Sequence, residues 1–575
     1  MAASVKMVAM VVPIVFLAAT TLTFDLVNRH VPGPYMDEIF HIPQAMRYCR
    51  GEFDSYDPKL TTPPGLYLAS VGAARLLSWI GHLLSALPSD WKDKPPCGKS
   101  HELRAVNVAG ILLLPWLLAS YRLAGPVSPV ATDKLDSLKQ TFTPVSPMTA
   151  VTTARSDPSR AAASARRTVT SRAMLVKHRR RSGPLGGLWD VIGQTLEDGA
   201  LCVEVHTIAL LPPLYFFSFL YYTDVLSTLT VIAMFSAARR DKLWFAALLG
   251  GASLIVRQTN IVWLLFALGT TALRRLSTLG LENDPLYVHI SLASALRSTV
   301  SSIQKLPLQA TTKTLAGVVA PFTPVVGLAA VFVVRNGGIV LGDKEHHVAA
   351  LHWAQACYLI AFAALFAWPT LLSTYARTSS PAKMVKTVVK DMLSLQAICE
   401  LAVLTIAALA AIKAGTLSHP FLLADNRHYA FYLWRKVINR TSASRYLLSI
   451  LYALAARIWW ICLGRSESLL WMLGFSACAI ATVVPSPLIE PRYYIIPFLI
   501  ARMHIDDGHR ESSSTSSSSS VDKPEDEAQR PASAPSPALL AEAAWMVAIN
   551  AATLYLFLKK PFKWPDSAEQ QRFMW

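Results

Sequence analysis

Residues Met7 to Leu26 read MVAMVVPIVFLAATTLTFDL, and shortly after them comes Tyr35-Met36-Asp37-Glu38-Ile39-Phe40-His41-Ile42-Pro43-Gln44. An apolar run of this length matches the roughly 20 residues a helix needs to cross a bilayer. A cleaved signal peptide has a shorter apolar core and a small-residue cleavage site. The run's length, and the polar motif close behind it, favour an uncleaved first span. Two adjacent carboxylates at the end of a membrane helix are costly groups, retained there for function. Together the two stretches predict a membrane protein whose chemistry sits where its helices meet water.

The pattern recurs along the 575 residues. Clear spans read at 7–26, 103–124, 200–221, 315–335, 349–372, 393–414, 446–464, 468–485 and 538–558. Shorter apolar pieces at 224–238, 243–256, 260–273 and 492–503 read as half-helices lining a cavity. Residues 65–87, which carry Arg75, Ser78 and His82, read as a helix lying at the interface. Apolar residues make up 53% and charged residues 16% of the chain, against about 25% charged in soluble domains. The expected fold is all-α and polytopic, with about 12–13 membrane helices. Its divisions are 1–124 (first span, polar loop, second span), a basic insert 125–195, a main bundle 196–505, a Ser/Pro-rich loop 506–537, and a last span with an amphipathic C-terminus, 538–575. Within these, 125–183 and 506–537 lack the apolar content to fold and read as disordered.

The net charge of +17 could signal nucleic acid or an anionic membrane. The basic residues cluster between spans, and no nucleic-acid-binding motif is present, so nucleic acid is excluded as a partner. If 65–87 does not cross, the loops 125–195, 274–314, 375–390 and 504–537 share the cytosolic side, as positive-inside charge expects. The polar motifs then share the opposite side. The basic loop 415–445 falls on that side too, against the rule, and a phosphate-binding role would explain its cations. Seven cysteines form no CxxC pair. Five are read as core residues. Cys49 and Cys97 share a polar loop and are read as unpaired thiols, a disulfide being the alternative if that loop faces an oxidising compartment.

Asp37 is the candidate general base and Glu38 its alternative, because neighbours in an extended segment point to opposite faces. His41 lies three to four residues on. Tyr221, Tyr222 and Asp224, at the end of the 200–221 span, offer aromatic faces and an acid to a sugar. Arg257-Gln258-Thr259-Asn260 interrupts an apolar run; a guanidinium between half-helices suits a lipid phosphate. Asn336 to His347 contains Asp343 and His346-His347, but adjacent histidines chelate poorly, so His347 is read as a substrate contact and no metal site is expected. Asp425-Asn426-Arg427-His428-Tyr429 offers a cation for phosphate and donors for hydroxyls. Glu490-Pro491-Arg492 brings another arginine to a helix start.

On the motifs Tyr35–Gln44, Thr61–Leu68, Leu214–Thr223, Arg257–Asn260, Asn336–Asp343, Leu422–Tyr429 and Gln571–Trp575, the chain resembles the dolichyl-phosphate-glucose alpha-1,2-glucosyltransferases, of the GT-C class. The resemblance implies transfer of the third, terminal glucose from dolichyl-phosphate-glucose to the Glc2Man9GlcNAc2-PP-dolichol oligosaccharide. It implies a site on the lumenal face of the endoplasmic reticulum membrane, amid that membrane's lipids, and a place in N-glycosylation. A β-linked donor and an α-linked product imply inversion. One base suffices, the phosphate leaving group needs cations rather than an acid, and no cofactor or metal is implied. Arg257, Arg427 and Arg492 would hold phosphate; His41, Tyr221, Tyr222, Asp224, Gln258, Asn260, His347, Asp425, Asn426, His428 and Tyr429 would contact substrate. Arg492 follows a proline where the family pattern has a bulky apolar residue, a departure from that pattern. The rivals are a dolichyl-phosphate-mannose-dependent mannosyltransferase of the same architecture and a membrane transporter; the latter would show symmetric broken helices in two halves, which the sequence lacks.

Overall fold

The computed structural model describes residues 2–84, 97–124, 186–342, 348–378, 380–505, 533–565 and 569–575. The described residues are mostly helical with almost no strand, and the chain is a multi-pass membrane protein. Among the described residues six helices are long and apolar enough to span: Val5–His30, Ser100–Leu123, Ala354–Ala376, Leu395–Ala414, Ser444–Gly464 and Pro537–Lys559. Any count near 12–13 must draw on shorter helices, including Gly199–Ala209, Asp224–Arg239, Leu243–Val256, Ile261–Ser277, Leu469–Val483 and Ile495–Met503.

Two predicted spans are broken. The 315–335 run becomes Leu308–Val319 and Thr323–Asn336, bent by 62°. Pro321 and Pro324 sit at the break, where neither can donate a backbone hydrogen bond. The 200–221 run divides into Gly199–Ala209 and Pro212–Phe217. Pro212 and Pro213 open the second piece, and a buried turn continues to Tyr222. That turn delivers the tyrosines to the site.

Asp224–Arg239 packs against Ser100–Leu123 and Leu243–Val256. Ala354–Ala376 packs against Ser449–Gly464 and Pro537–Lys559, and the latter also meets Gly199–Ala209. A buried ion-pair network joins these groups. Arg502 pairs with Glu542 at 3.0 Å and Glu204 at 3.2 Å, while Arg122 also pairs with Glu204. Arg274 bonds the carbonyls of Ala238 and Arg239 and pairs with Asp241 at the same end, where Arg240 reaches the Ser120 carbonyl.

Cys49 and Cys97 are joined in a disulfide, which corrects the expectation of free thiols. The cross-link ties helix Glu38–Cys49 to the segment before Ser100–Leu123 and closes a core of Ile42, Tyr48, Leu66, Tyr67 and Tyr221. Helix Gly65–Leu84 packs against Glu38–Cys49 and Leu243–Val256. A Cβ at Gly65 would lie 2.6 Å from the Ile255 carbonyl oxygen, so only glycine permits that approach.

The C-terminal segment, expected to be amphipathic, contains two short strands. Phe562–Lys563 and Gln570–Gln571 pair as an antiparallel hairpin, and its last residues run between two polar loops. The chain forms two compact units, 125–194 being the second. Of that unit residues 186–194 are described, within helix Gly186–Glu197. The 125–183 segment, and 506–532 of the Ser/Pro-rich loop, lie outside the described residues. Ser533, within the stretch expected to be disordered, accepts the Ala200 N–H at 2.9 Å.

Candidate active site

Asp37 and Glu38 diverge, but not through extended backbone. Met36 is left-handed, with φ 56°, a conformation that non-glycine residues hold only where surroundings enforce it. Asp37 then takes helical angles (φ −61°, ψ −17°) as N-cap of Glu38–Cys49. Successive helical side chains point about 100° apart. Asp37 is 46% exposed, and its backbone N–H donates to the Tyr222 hydroxyl at 3.1 Å. Glu38 is fully buried. Its carboxylate accepts from Arg104 Nε and Nη2 at 2.8 and 2.6 Å, from the Tyr221 N–H at 2.6 Å and from the Tyr35 N–H at 2.9 Å. Four donors saturate it, which does not fit its role as alternative base. Arg104 also bonds Asn28 and the carbonyls of Val31 and Gly33, so the pair closes the link between first span and loop.

Arg492, which follows a proline that departs from the family pattern, is a hub. It sits in a short turn, Pro491–Tyr494, that Pro491 opens in its first position. Its guanidinium lies 3.5 Å from Asp37 and 3.9 Å from Asp224, and pairs with Glu490 at 2.6 Å. The rings of Tyr222 and Phe217 lie beneath it, 5.2 and 5.3 Å away. These acids hold its proton more tightly than usual despite burial. Asp224, buried, pairs with Arg257 at 3.0 Å, and Arg257 also donates to Thr223 at 3.0 Å. His41 completes the floor: its Nδ1 is 2.6 Å from the Tyr67 hydroxyl. Burial pushes its pKa down to about 4, with Asp37 opposing, so the ring is neutral near pH 7.

A second cluster stands beside the first. Asp425 binds Arg427 through two hydrogen bonds of 2.7 and 2.8 Å, and Arg427 Nη1 donates to Gln571 at 3.0 Å. The Trp564 ring lies 4.7 Å from the guanidinium, and the indole N–H donates to Asn426 at 2.8 Å. His428 Nδ1 meets the Trp575 carbonyl at 2.9 Å. The Tyr429 ring packs on Trp575, and its hydroxyl is buried without a hydrogen-bond partner. Arg427 holds down the Asp425 pKa in spite of burial, and its own charge reaches Tyr35 and Tyr222.

Several candidates are structural in their contacts. Tyr221 is buried and its hydroxyl meets Ser70 at 2.7 Å, so its ring faces the loop core rather than the opening. Gln258 donates to the Thr61 carbonyl, and buried Asn260 donates to Ser227 and the Ser253 carbonyl. Asn426 and His428 are engaged by the C-terminal segment. His347 and Asp343 lie outside the described residues. Gly342 holds φ +62° where a Cβ would meet the Leu60 carbonyl oxygen at 2.3 Å, so this loop reaches the 58–60 turn. Among the described residues no group of three or more His, Cys, Asp or Glu is placed to hold a metal ion.

Arg104, Glu490, Trp564 and Gln571 were not named as site residues from sequence, although Glu490 stands in the quoted Glu490-Pro491-Arg492 stretch and Gln571 opens the Gln571–Trp575 motif. Arg104 carried a usable signal, an arginine at the start of an apolar span. For the others the sequence did not show which residues they meet, because their partners lie from two to 144 residues away with no periodicity to connect them.

A family model described as the DIE2/ALG10 family matches residues 31–152 and 168–503. The chain is 30% identical to the Dol-P-Glc:Glc(2)Man(9)GlcNAc(2)-PP-Dol alpha-1,2-glucosyltransferase of Mus musculus, with 96% of each chain covered. It is equally identical, over the same shares, to proteins of that name from Homo sapiens and Arabidopsis thaliana. No solved structure matches it.

Proposed function

The chain belongs to the DIE2/ALG10 family, and from that premise we propose that it transfers the terminal alpha-1,2-linked glucose from dolichyl-phosphate-glucose to Glc2Man9GlcNAc2-PP-dolichol. The observation that carries this is the convergence of an exposed carboxylate, Asp37, with Arg492 and the Asp224–Arg257 pair at one end of the helices. That is what transfer from a lipid phosphate requires: a base open to substrate, and fixed cations where the leaving group gains charge.

Asp37 takes the proton from the acceptor's 2-hydroxyl. The oxygen attacks the anomeric carbon from the face opposite the phosphate, the sugar–phosphate bond breaks, and dolichyl phosphate leaves with the bonding electrons. Arg492, Arg257 and Arg427 stabilise that phosphate without a metal ion or an acid. Asp224 orients the first two, and His41, neutral, offers sugar a hydrogen bond. An apolar groove lined by Leu359, Trp459, Trp460, Phe475, Pro497 and Phe498 runs along the helix that follows Arg492. Its lining suits the isoprenoid chain of the lipid donor. The site faces the lumen of the endoplasmic reticulum; the basic cluster at the far ends of Ser100–Leu123 and Asp224–Arg239 supports that orientation.

The test is transfer by purified protein, with chelator, from dolichyl-phosphate-glucose to a diglucosylated lipid-linked glycan. Wild type yields the triglucosylated product. Asp37→Asn lowers the rate by at least about 100-fold and leaves the melting temperature unchanged. Near-normal activity of that variant rejects the base. Extension with dolichyl-phosphate-mannose alone makes the protein a mannosyltransferase, and no product with either donor rejects the glycosyltransferase assignment.

A further inference from the structure

Arg427 is held by more than its own loop. Asp425 takes its Nε and Nη2, Gln571 takes Nη1 from 144 residues away, and Trp564 lies against its plane. A guanidinium carries five N–H bonds, so this arrangement fixes its rotation and leaves two donors for a ligand. Trp564 and Gln571 both belong to the C-terminal hairpin segment.

The same segment reaches the other half of the site. The Tyr35 hydroxyl donates to the Arg572 carbonyl at 2.9 Å and accepts the Arg572 N–H at 2.8 Å. Tyr35 stands two residues before Asp37. The Arg572 side chain is buried and bonds the carbonyls of His30, Phe557 and Leu558, which anchors the segment to the ends of the first and last spans. Its backbone then exchanges bonds with the 427–429 loop: Met574 N–H to Arg427 O and Tyr429 N–H to Met574 O, both 2.9 Å. The two polar loops of the site are thus joined through one C-terminal strap.

We propose that Gln571 is a positioning residue, which holds the Arg427 guanidinium at the angle that binds the lipid phosphate, with Trp564 as its support. This rests on Arg427 being a phosphate ligand. Gln571 itself touches no substrate and acts through Arg427 alone.

The experiment is a double-variant cycle on the full chain in nanodiscs, read as binding of dolichyl phosphate and therefore independent of turnover. Gln571→Ala weakens binding about tenfold, the scale of one charge-assisted hydrogen bond, with the melting temperature within a degree or so of wild type. Arg427→Ala weakens it at least as much, and adding Gln571→Ala to Arg427→Ala has no further effect. Gln571→Glu keeps an oxygen on Arg427, and hence the fold, but sets a negative charge beside the phosphate; it also binds more weakly. Wild-type binding by both Gln571 variants, or additive losses in the double variant, overturns the proposal. Unchanged binding by Arg427→Ala would remove Arg427 as a phosphate ligand, an outcome distinct from failure of Gln571 alone and from failure of glucosyl transfer.

Discussion

At the scale of single residues, the site separates groups that look alike in sequence by what surrounds them. Asp37 and Glu38 are adjacent carboxylates, yet one is nearly half exposed and the other is saturated by Arg104 and two backbone N–H groups. Such a buried pair does not stabilise much over an apolar contact, but losing one partner strands a charge. His41 shows the opposite economy: burial keeps it uncharged, with a pKa of about 4 against 6.5 in the unfolded chain. Between those values the unfolded state binds a proton that the folded state does not. The stability from a neutral His41 is therefore complete above pH 6.5 and is lost progressively as pH falls toward 4, by about 3 kcal/mol at most. His41→Gln removes this proton linkage. Thermal melting from pH 7 to 4.5 should fall less steeply for that variant than for wild type; parallel curves would reject the assignment.

At the scale of elements, the helices follow the apolar periodicity, and their interruptions follow proline. Pro212–Pro213 and Pro321–Pro324 divide what hydropathy reads as single spans, because a window average does not register one missing N–H. The polar loop between the first two spans depends on a different device. Its disulfide closes a 48-residue separation, and cross-linking a loop of that size stabilises by roughly 2–4 kcal/mol through the unfolded chain. Cys49→Ser should lower the melting temperature by several degrees and raise protease cleavage between residues 50 and 97. Unaltered melting and cleavage would show that the loop is held by its aromatic core alone.

At the scale of the whole molecule, the site and the basic cluster occupy opposite ends of the same helices, and the Arg502–Glu542–Glu204 network adjoins the basic end, where Arg122, two residues past Ser120, also pairs with Glu204. Thr370 also donates to Glu542, so with Arg122 on Glu204 five described helices meet there. Both Arg502 and Glu542 are fully buried. Glu542→Ala removes one of the carboxylates that Arg502 meets among the described residues and should cost about 3–5 kcal/mol. Detergent-solubilised protein should melt markedly lower, with the Asp37 region chemically intact and the Km for donor unchanged in the surviving fraction. A raised Km with unchanged melting would mean that the network acts on the site rather than on the fold.

The apolar runs by themselves determined the membrane class, since only helices and closed barrels satisfy their backbone in lipid and runs of about 20 apolar residues suit helices. The polar motifs between them marked Asp37, Asp224, Arg257 and the 425–429 loop, because charge at the edge of a membrane helix is costly without a use. Only the tertiary structure decided which partners each charge meets. Glu38 was left open in sequence because its partner Arg104 lies 66 residues on. Arg492 gained its place from a turn that aims it at Asp37 from 455 residues away. Gln571 gained its own from a strap that returns to Arg427. Periodicity is a local property of the chain, whereas electrostatic partnership depends on which distant segments packing brings within a few ångströms.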